Sequence, residues 1–176
     1  MTENDSLKLV TERLCLEPAG ILDLAMLHAV FTDASVRKYL FDNQIIPFTQ
    51  TEEILNQSVT AFRRERYGLW LIYEESLREM IGVAGLYPFF SEPQPQLLYA
   101  LLPSYQKKGF ATEASRAVIR YAFKALGYEY VTASCDVPNA ASVAVMERLG
   151  MHWFKEELVE GKPLVFYRIT NGSNRS

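Results

Sequence analysis

Residues 99–114 constrain the fold more than any other part of the sequence. They read as an apolar strand, a turn at Pro103, a basic loop with one glycine, and a helix start. The loop fits the pattern Gln/Arg-x-x-Gly-x-Gly/Ala between Gln106 and Ala111. A helix N-terminus binds anions, because its first N–H groups lack internal partners and the helix dipole is positive there. Gly109 permits a positive φ and close approach of the backbone to a ligand. The segment therefore predicts a diphosphate site.

Three other segments carry recognisable patterns. Residues 136–151 read as a strand end, a Pro-Asn cap, a short helix, a glycine stop and a new strand. Residues 11–18 follow the pattern Thr-Glu-Arg-Leu-x-Leu-x-Pro, and residues 81–86 read Ile-Gly-x-x-Gly-Leu.

Together the four segments resemble the GNAT superfamily of N-acetyltransferases. More narrowly, they are similar to the branch that contains the RimJ and RimL ribosomal-protein N-terminal acetyltransferases. The matches occur in family order and extend over about residues 7–170. The resemblance implies a cytoplasmic enzyme that moves an acetyl group from acetyl-CoA to a primary amine, by direct attack in a ternary complex.

The order of strands and helices predicts a mixed sheet flanked by helices. The family resemblance implies that the fold is α+β and that the sheet is mostly antiparallel. The predicted strands are residues 7–16, 67–73, 80–87, 96–102, 128–135, 151–158 and 164–169. The predicted helices are residues 21–31, a short one capped by Asp33 or Ser35, one from Thr49 or Thr51 to about 66, 110–126 and 139–149. The resemblance adds a splayed parallel strand pair, ending near Leu102 and Cys135, with acetyl-CoA in the gap between them.

Composition is consistent with one domain over residues 1–176, with a core over about 7–170 and a frayed tail at 171–176. The chain has 176 residues, of which 49% are hydrophobic, and this length can enclose one sizeable core. No apolar run approaches the ~20 residues of a membrane span, and the polar N-terminus predicts no signal peptide. We therefore expect no membrane partner.

The net charge and the number of possible metal ligands argue against nucleic-acid binding and against a metal site. A net charge of −3 without an arginine-rich tract disfavours nucleic-acid binding. Two cysteines and two histidines, scattered along the chain, predict no metal site. Cys15 and Cys135 lie in apolar strand contexts and read as small buried hydrophobes in a reducing cytosol. A monomer and a homodimer both stay open.

The resemblance assigns the cofactor contacts residue by residue. Gln106 takes the first motif position, and Asn139 matches the family asparagine whose amide contacts the cofactor arm. The backbone donors for the diphosphate are Lys107, Lys108, Gly109, Phe110, Ala111 and Thr112. The pantetheine arm pairs with the strand before the loop, here Ala100, Leu101 and Leu102.

Two catalytic residues are proposed from the same resemblance. In the family a bulge in the strand before the loop presents a backbone N–H to the oxyanion, and Leu101 lies at its centre here. Ser142 lies one turn after Asn139 and is a candidate donor of a proton to the leaving thiolate, with water as the alternative.

The sequence departs from the family at two positions. Many members have a tyrosine acid where this chain has Met146, and the branch commonly has Glu-x-Gly-Tyr where this chain has residues 96–99, beginning with Gln96. The base that deprotonates the acceptor is therefore unassigned.

Several candidates also have a purely structural interpretation. Asn139 after a proline is a natural helix cap, Ser142 is a small packing residue, and Lys107 and Lys108 form a solvated basic face. The histidines and most aromatic residues read as structural, whereas two loop aromatics are candidates for the mouth of a substrate site: Phe89 and Phe90.

Three functional classes follow. The first is an amine N-acetyltransferase acting on a protein N-terminus, an amino acid, a polyamine or an aminated antibiotic. The second is a non-catalytic acyl-CoA-binding or sensing module. The third, a P-loop nucleotide-binding protein, is disfavoured because Gly-x-x-x-x-Gly-Lys-Ser/Thr is absent.

Overall fold

The computed structural model describes residues 7–90 and 92–172. Within them lie five α-helices: α1 (Leu24–Thr32), α2 (Ala34–Leu40), α3 (Phe48–Glu65), α4 (Phe110–Lys124) and α5 (Ala140–Arg148). The eight strands are β1 (Leu9–Val10), β2 (Leu14–Pro18), β3 (Leu69–Glu74), β4 (Glu79–Tyr87), β5 (Gln96–Leu101), β6 (Tyr130–Asp136), β7 (His152–Val159) and β8 (Lys162–Thr170). The fold is α+β, as predicted.

The strands form two antiparallel sheets. The first has the order β1-β2-β3-β4-β5 and the second the order β6-β8-β7. The neighbours β4 and β5 pair from Gly82 opposite Leu101 to Tyr87 opposite Gln96. Helices α1, α2 and α3 lie in the connection from β2 to β3, and α4 forms the crossover from the first sheet to the second.

The two sheets meet at β5 and β6, which lie side by side without a hydrogen-bonded ladder between their described residues. The side chain of Gln94, just before β5, donates to the carbonyl of Tyr130 at the start of β6 (2.6 Å). Near the other end, the hydroxyl of Tyr99 reaches Ser142 in the helix that follows β6. Both strands therefore run in the same direction, and no ladder between them uses the backbone groups on their facing edges.

Helices cover the two faces of the first sheet with separate apolar clusters. One cluster packs α4 and α5 against β5 and centres on fully buried Trp70, whose indole contacts Phe62 and Tyr121 edge-to-face. The other packs α1, α2 and α3 against the opposite face. Side chains of β5 alternate between them: Leu97 and Leu101 join the first cluster, and Leu98 joins the second.

Gly82 allows β4 to approach β5 closely. A Cβ atom at this position would overlap the carbonyl oxygen of Ala100, so only glycine fits. The β4–β5 register then continues unshifted past the strand end, because the amide of Leu102 donates to the carbonyl of Ile81 (2.9 Å). The bulge that the family resemblance predicted around Leu101 is therefore wrong for this chain.

Two sequence predictions of local structure need correction. The first strand, predicted over residues 7–16, is broken into β1 and β2, because the amide and hydroxyl of Thr11 both turn to the carbonyl of Leu14. Helix α3 begins at Phe48 after Pro47, not at a capping threonine, and Thr51 is buried with its hydroxyl 2.8 Å from His28 Nδ1.

Other predictions agree with the structure. Asp33 caps α2 by accepting from the amides of Ser35 and Val36. The frayed tail predicted at 171–176 lies largely outside the described residues, which end at 172. In the described ranges, no helix combines the length and apolarity that a bilayer span requires.

Candidate active site

The loop between β5 and α4 turns sharply at two residues. Lys107 and Gly109 both have positive φ, 60° and 83°. Gly109 is also the residue that immediately precedes α4. A left-handed backbone is strained for most residues but free of steric cost for glycine, so Gly109 fixes the path by which the loop enters the helix.

Six consecutive backbone amides at this turn are left without a hydrogen-bond acceptor in the described part of the chain. The amide of Gln106 donates to Pro103, and the amide of Glu113 donates to Gly109. Between these two, the N–H groups of residues 107–112 have no acceptor among the described residues. Unpaired donors at the positive end of a fifteen-residue helix can bind an anionic group. They belong to the six residues assigned to the diphosphate in the sequence analysis, and diphosphate binding there stays a prediction.

Arg13 braces the loop from the first sheet. Its Nη1 donates to the carbonyl of Lys108 (3.1 Å), and its Nε donates to Glu113 Oε2 (2.7 Å). The guanidinium also lies 4.5 Å from the centre of the Phe110 ring. Sequence reasoning missed this role, although Arg13 belongs to the quoted opening pattern; the brace joins residues about 100 positions apart.

Gln106 ties the loop to two other elements. Its Nε2 donates to the carbonyl of Leu101 (2.9 Å) and to the hydroxyl of Ser35 at the start of α2 (3.2 Å). Its side chain thus supports the loop from within, a role that sequence reasoning had left unspecified.

We expect Glu113 to make stability depend on acid pH. Burial raises the pKa of this carboxyl, but hydrogen bonds from Thr11, from the Arg13 backbone and from its guanidinium outweigh burial and leave the pKa below its ordinary value. A lowered pKa stabilises the fold above the unfolded-state value of ~4.3, and that stabilisation is lost as pH falls through the folded-state pKa. Urea midpoints measured from about pH 7 downward should fall more steeply below pH ~4.5 for the wild type than for Glu113→Gln.

The matched control for this experiment is Glu52→Gln, on the exposed side of α3. It should leave the steepness of the acid limb unchanged. Equal acid limbs for wild type and Glu113→Gln would contradict the stabilising role of the ionised carboxylate.

Backbone hydrogen bonding alternates along β5. Leu102 and Ile81 are directly hydrogen-bonded, so the amides of Leu101 and Tyr99 must point away from β4 and toward β6. The carbonyl of Leu101, on this edge, accepts from the Gln106 side chain. Leu101 can thus present its amide to the gap without a bulge, and Tyr99 offers a second amide there. The amide of Leu102, by contrast, is used within the sheet.

Helix α5 begins beside this edge. Asn139 caps it, with Oδ1 accepting from the amide of Ser142 (3.2 Å). The Ser142 hydroxyl lies 2.6 Å from the hydroxyl of Tyr99, which also donates to the Ser142 carbonyl (3.1 Å). The capping interpretation of Asn139 is therefore confirmed, and its Nδ2 has no acceptor among the described residues.

The groups around Ser142 are uncharged at neutral pH. Burial raises the pKa of the Tyr99 phenol far above its ordinary value, with the hydrogen bond to Ser142 opposing the shift. Burial also raises the pKa of Cys135 to about 11, again opposed by a hydrogen bond with Ser142. A cluster of neutral hydroxyl and thiol groups can donate protons but cannot remove one from an ammonium.

Met146 and Gln96 lie where the family resemblance places a tyrosine acid and a glutamate. Met146 is fully buried in the apolar cluster beneath α5 and has no proton to give. Gln96, where the branch commonly has glutamate, is 1% exposed, and neither atom of its amide has a partner in the described chain.

The loop from β4 to β5 crosses toward the second sheet. Glu92 forms an ion pair with Lys155 of β7 (2.8 Å), and Gln94 reaches β6. Phe89 packs edge-on against Tyr87, whereas Phe90 is 49% exposed. The position of these aromatic side chains at the surface is compatible with the substrate mouth predicted for them.

The other predicted features fall outside this site. His28 contacts Thr51 and the Phe48 ring, and His152 is exposed on β7. In residues 7–90 and 92–172, no three His, Cys, Asp or Glu side chains are grouped to hold a metal ion. The structure thus brings together the loop, the edge of β5 and the start of α5.

Comparison with known proteins connects this arrangement to a family. Residues 13–152 match the family model described as an acetyltransferase (GNAT) domain. The uncharacterised N-acetyltransferase YnaD of Bacillus subtilis is 26% identical over 156 residues, which are 87% of this chain and 89% of that protein.

Solved structures share the fold at lower identity. An acetyltransferase from Agrobacterium tumefaciens superposes with a TM-score of 0.81 at 22% identity, covering 93% of this chain and 94% of that one. RimL, the ribosomal L7/L12 alpha-N-protein acetyltransferase solved with coenzyme A, has a TM-score of 0.76 at 21% identity, covering 92% and 96%.

Proposed function

Because the chain belongs to the GNAT acetyltransferase family, we propose that it transfers an acetyl group from acetyl-CoA to a primary amine in the gap between β5 and β6. The observation that carries the proposal is the row of six free amides at residues 107–112. These donors suit the diphosphate of CoA. The brace by Arg13 keeps them in place before a ligand arrives, which lowers the ordering cost of binding.

The edge of β5 provides the next part of the site. The amides of Tyr99 and Leu101 on this edge suit an extended pantetheine arm, which would add to the sheet edge as a strand does. Acetyl-CoA supplies an activated thioester, and the amide of Leu101 would donate to the oxygen on which negative charge develops during amine attack. The preorganised β4–β5 register holds this donor in position.

Two protons must move in the reaction: the leaving thiolate gains one, and the acceptor amine loses one. The Ser142 hydroxyl can donate to the leaving thiolate, and its neighbours Tyr99 and Cys135 are neutral at pH 7 and do not repel the developing negative charge. The acceptor amine must be neutral to attack, and the buried amide of Gln96 cannot take its proton. Water would therefore carry that proton from the acceptor to solvent.

Four classes of acceptor remain candidates: a protein N-terminus, an amino acid, a polyamine and an aminated antibiotic. The fold shared with RimL favours including N-terminal peptides in any search. We retain the cytoplasm as the proposed compartment and propose no nucleic-acid partner.

A non-catalytic acyl-CoA-binding module is the second candidate. Met146 and Gln96 favour it, because both replace groups that titrate in other family members. The two candidates share the cofactor site and differ only in turnover.

An acceptor screen separates them. The protein is incubated with acetyl-CoA and one amine of each class, and acetylated product and free CoA are quantified by mass spectrometry. The enzyme hypothesis predicts equal amounts of acetylated amine and free CoA with at least one class. Tight acetyl-CoA binding without product from any class would identify the binding module.

We expect Asn139→Ala to reduce acetyl transfer by about tenfold and to lower thermal stability. Loss of a cap costs about 0.5–2 kcal/mol, so rates must be measured well below the melting temperature. Asn139→Asp is the informative partner, because aspartate also caps helices but lacks the Nδ2 donor. A slow but stable Asn139→Asp protein would establish a cofactor contact, and wild-type kinetics for Asn139→Asp would leave only the capping role.

A further inference from the structure

We propose that Tyr99 is a positioning residue for acetyl transfer, which fixes the hydroxyl of Ser142 so that it can protonate the leaving thiolate. This inference rests on the proposed function. It concerns a contact between β5 and α5 that the family pattern did not predict.

The amide, the carbonyl and the hydroxyl of Ser142 all have hydrogen-bond partners. Asn139 Oδ1 accepts from its amide (3.2 Å), while the hydroxyl of Tyr99 donates to its carbonyl (3.1 Å) and contacts its Oγ (2.6 Å). Backbone and side chain of one residue are therefore held from two sides. Without the Tyr99 hydroxyl, the weak contact with the Cys135 thiol would be left to restrain the serine hydroxyl among its staggered rotamers.

Tyr99 is itself held firmly. Its ring packs against the apolar cluster on the α4 side of β5, and its hydroxyl extends across to the start of α5. Burial raises the pKa of Tyr99 well above its ordinary value, so the phenol stays protonated at neutral pH, and its hydroxyl is already engaged with the carbonyl and Oγ of Ser142. It acts as a fixed hydrogen-bond donor and acceptor, and Ser142 makes the contact with the sulfur.

The chemical step balances without any further reactant. The amine nitrogen forms a bond to the acetyl carbon, and the carbon–sulfur bond breaks. The amine loses one proton to water, while Ser142 passes its proton to the sulfur and regains one from solvent. As the serine proton departs, the Tyr99 hydroxyl can turn its single proton from the Ser142 carbonyl to Ser142 Oγ, 2.6 Å away, and so stabilise the serine oxygen.

Tyr99→Phe tests the inference, with Tyr121→Phe as a matched control. Tyr121 also has a largely buried ring and a hydroxyl that donates to a backbone carbonyl, that of Arg66 (2.6 Å), away from the site. Both variants lose a hydrogen bond to a backbone carbonyl, and Tyr99→Phe alone also loses the contact with Ser142 Oγ. Only Tyr99→Phe should lower kcat, by about 3- to 10-fold, with the KM for acetyl-CoA unchanged.

A double variant shows whether Tyr99 acts through Ser142. If it does, Tyr99→Phe/Ser142→Ala should be no slower than Ser142→Ala alone, since interacting residues are not additive. Wild-type kcat in Tyr99→Phe, multiplicative losses in the double variant, or a change in KM alone would each overturn the inference. Failure of the proposed function would look different, because the wild-type protein itself would then acetylate no amine.

Discussion

Gly109→Val should weaken binding of CoA by more than about 100-fold. A left-handed backbone costs an L-residue ~1–2 kcal/mol, and the added Cβ would lie 3.3 Å from Arg13 Nη2. The loop must then move, which disrupts the amide array of residues 107–112 and its brace. Loss of two hydrogen bonds to a charged group, each ~1.5–3 kcal/mol, already exceeds a hundredfold in affinity. Isothermal calorimetry with CoA measures the effect.

Gly127→Val is the control for backbone strain. Gly127 follows α4 with φ of 70°, and no atom lies within 4 Å of an added Cβ. This variant should lose comparable stability but bind CoA as the wild type does. Unchanged CoA affinity in a folded Gly109→Val protein would contradict the assignment of the loop.

Ser142→Ala should lower kcat by about 10- to 100-fold. The expected loss lies below the ~10²–10⁴-fold usual for a general acid, because a thiol of pKa ~8.5 leaves with little assistance. Ser58→Ala is a suitable control, since Ser58 is buried and its hydroxyl accepts from the amide of Leu69 (2.8 Å), away from the site. Steady-state rates should be compared from about pH 6 to 9, on both sides of the thiol pKa.

Two outcomes would change this assignment. A Ser142→Ala enzyme with wild-type rates over that pH range would show that solvent protonates the thiolate. A folded variant that binds CoA but has no activity would show that the hydroxyl is essential and not merely helpful.

Local patterns in the sequence predicted the parts of the site that depend on local structure. Gly109 sets the loop conformation by its own φ, and Asn139 caps α5 through its own side chain. The contacts that join distant segments were not predicted. Arg13 reaches Lys108 and Glu113 only because β2 lies near the start of α4 in the folded sheet. Hydrophobic periodicity in the sequence does not indicate which distant segments come into contact.

The wrong predictions have the same origin. The bulge near Leu101 was expected from the family pattern, but the tight packing of Gly82 against Ala100 keeps the β4–β5 register regular. Thr51 was a reasonable cap by residue type, yet tertiary contact with His28 buries it inside α3. The interpretation of Tyr99 as a core aromatic residue is confirmed for its ring, whereas the contact of its hydroxyl with Ser142 depends on the packing of α5 and was not predicted.

Titration of ¹⁵N-labelled protein with CoA, followed by NMR, tests the proposed cofactor site directly, because the experiment requires no knowledge of the acceptor. We expect the largest amide shifts at residues 107–112, with further shifts at Tyr99, Leu101 and Asn139. Gly109→Val should abolish them at the same CoA concentration, and Gly127→Val should retain them. Saturable shifts confined to another surface, with residues 107–112 unmoved, would contradict the proposed cofactor site and the mechanism built on it.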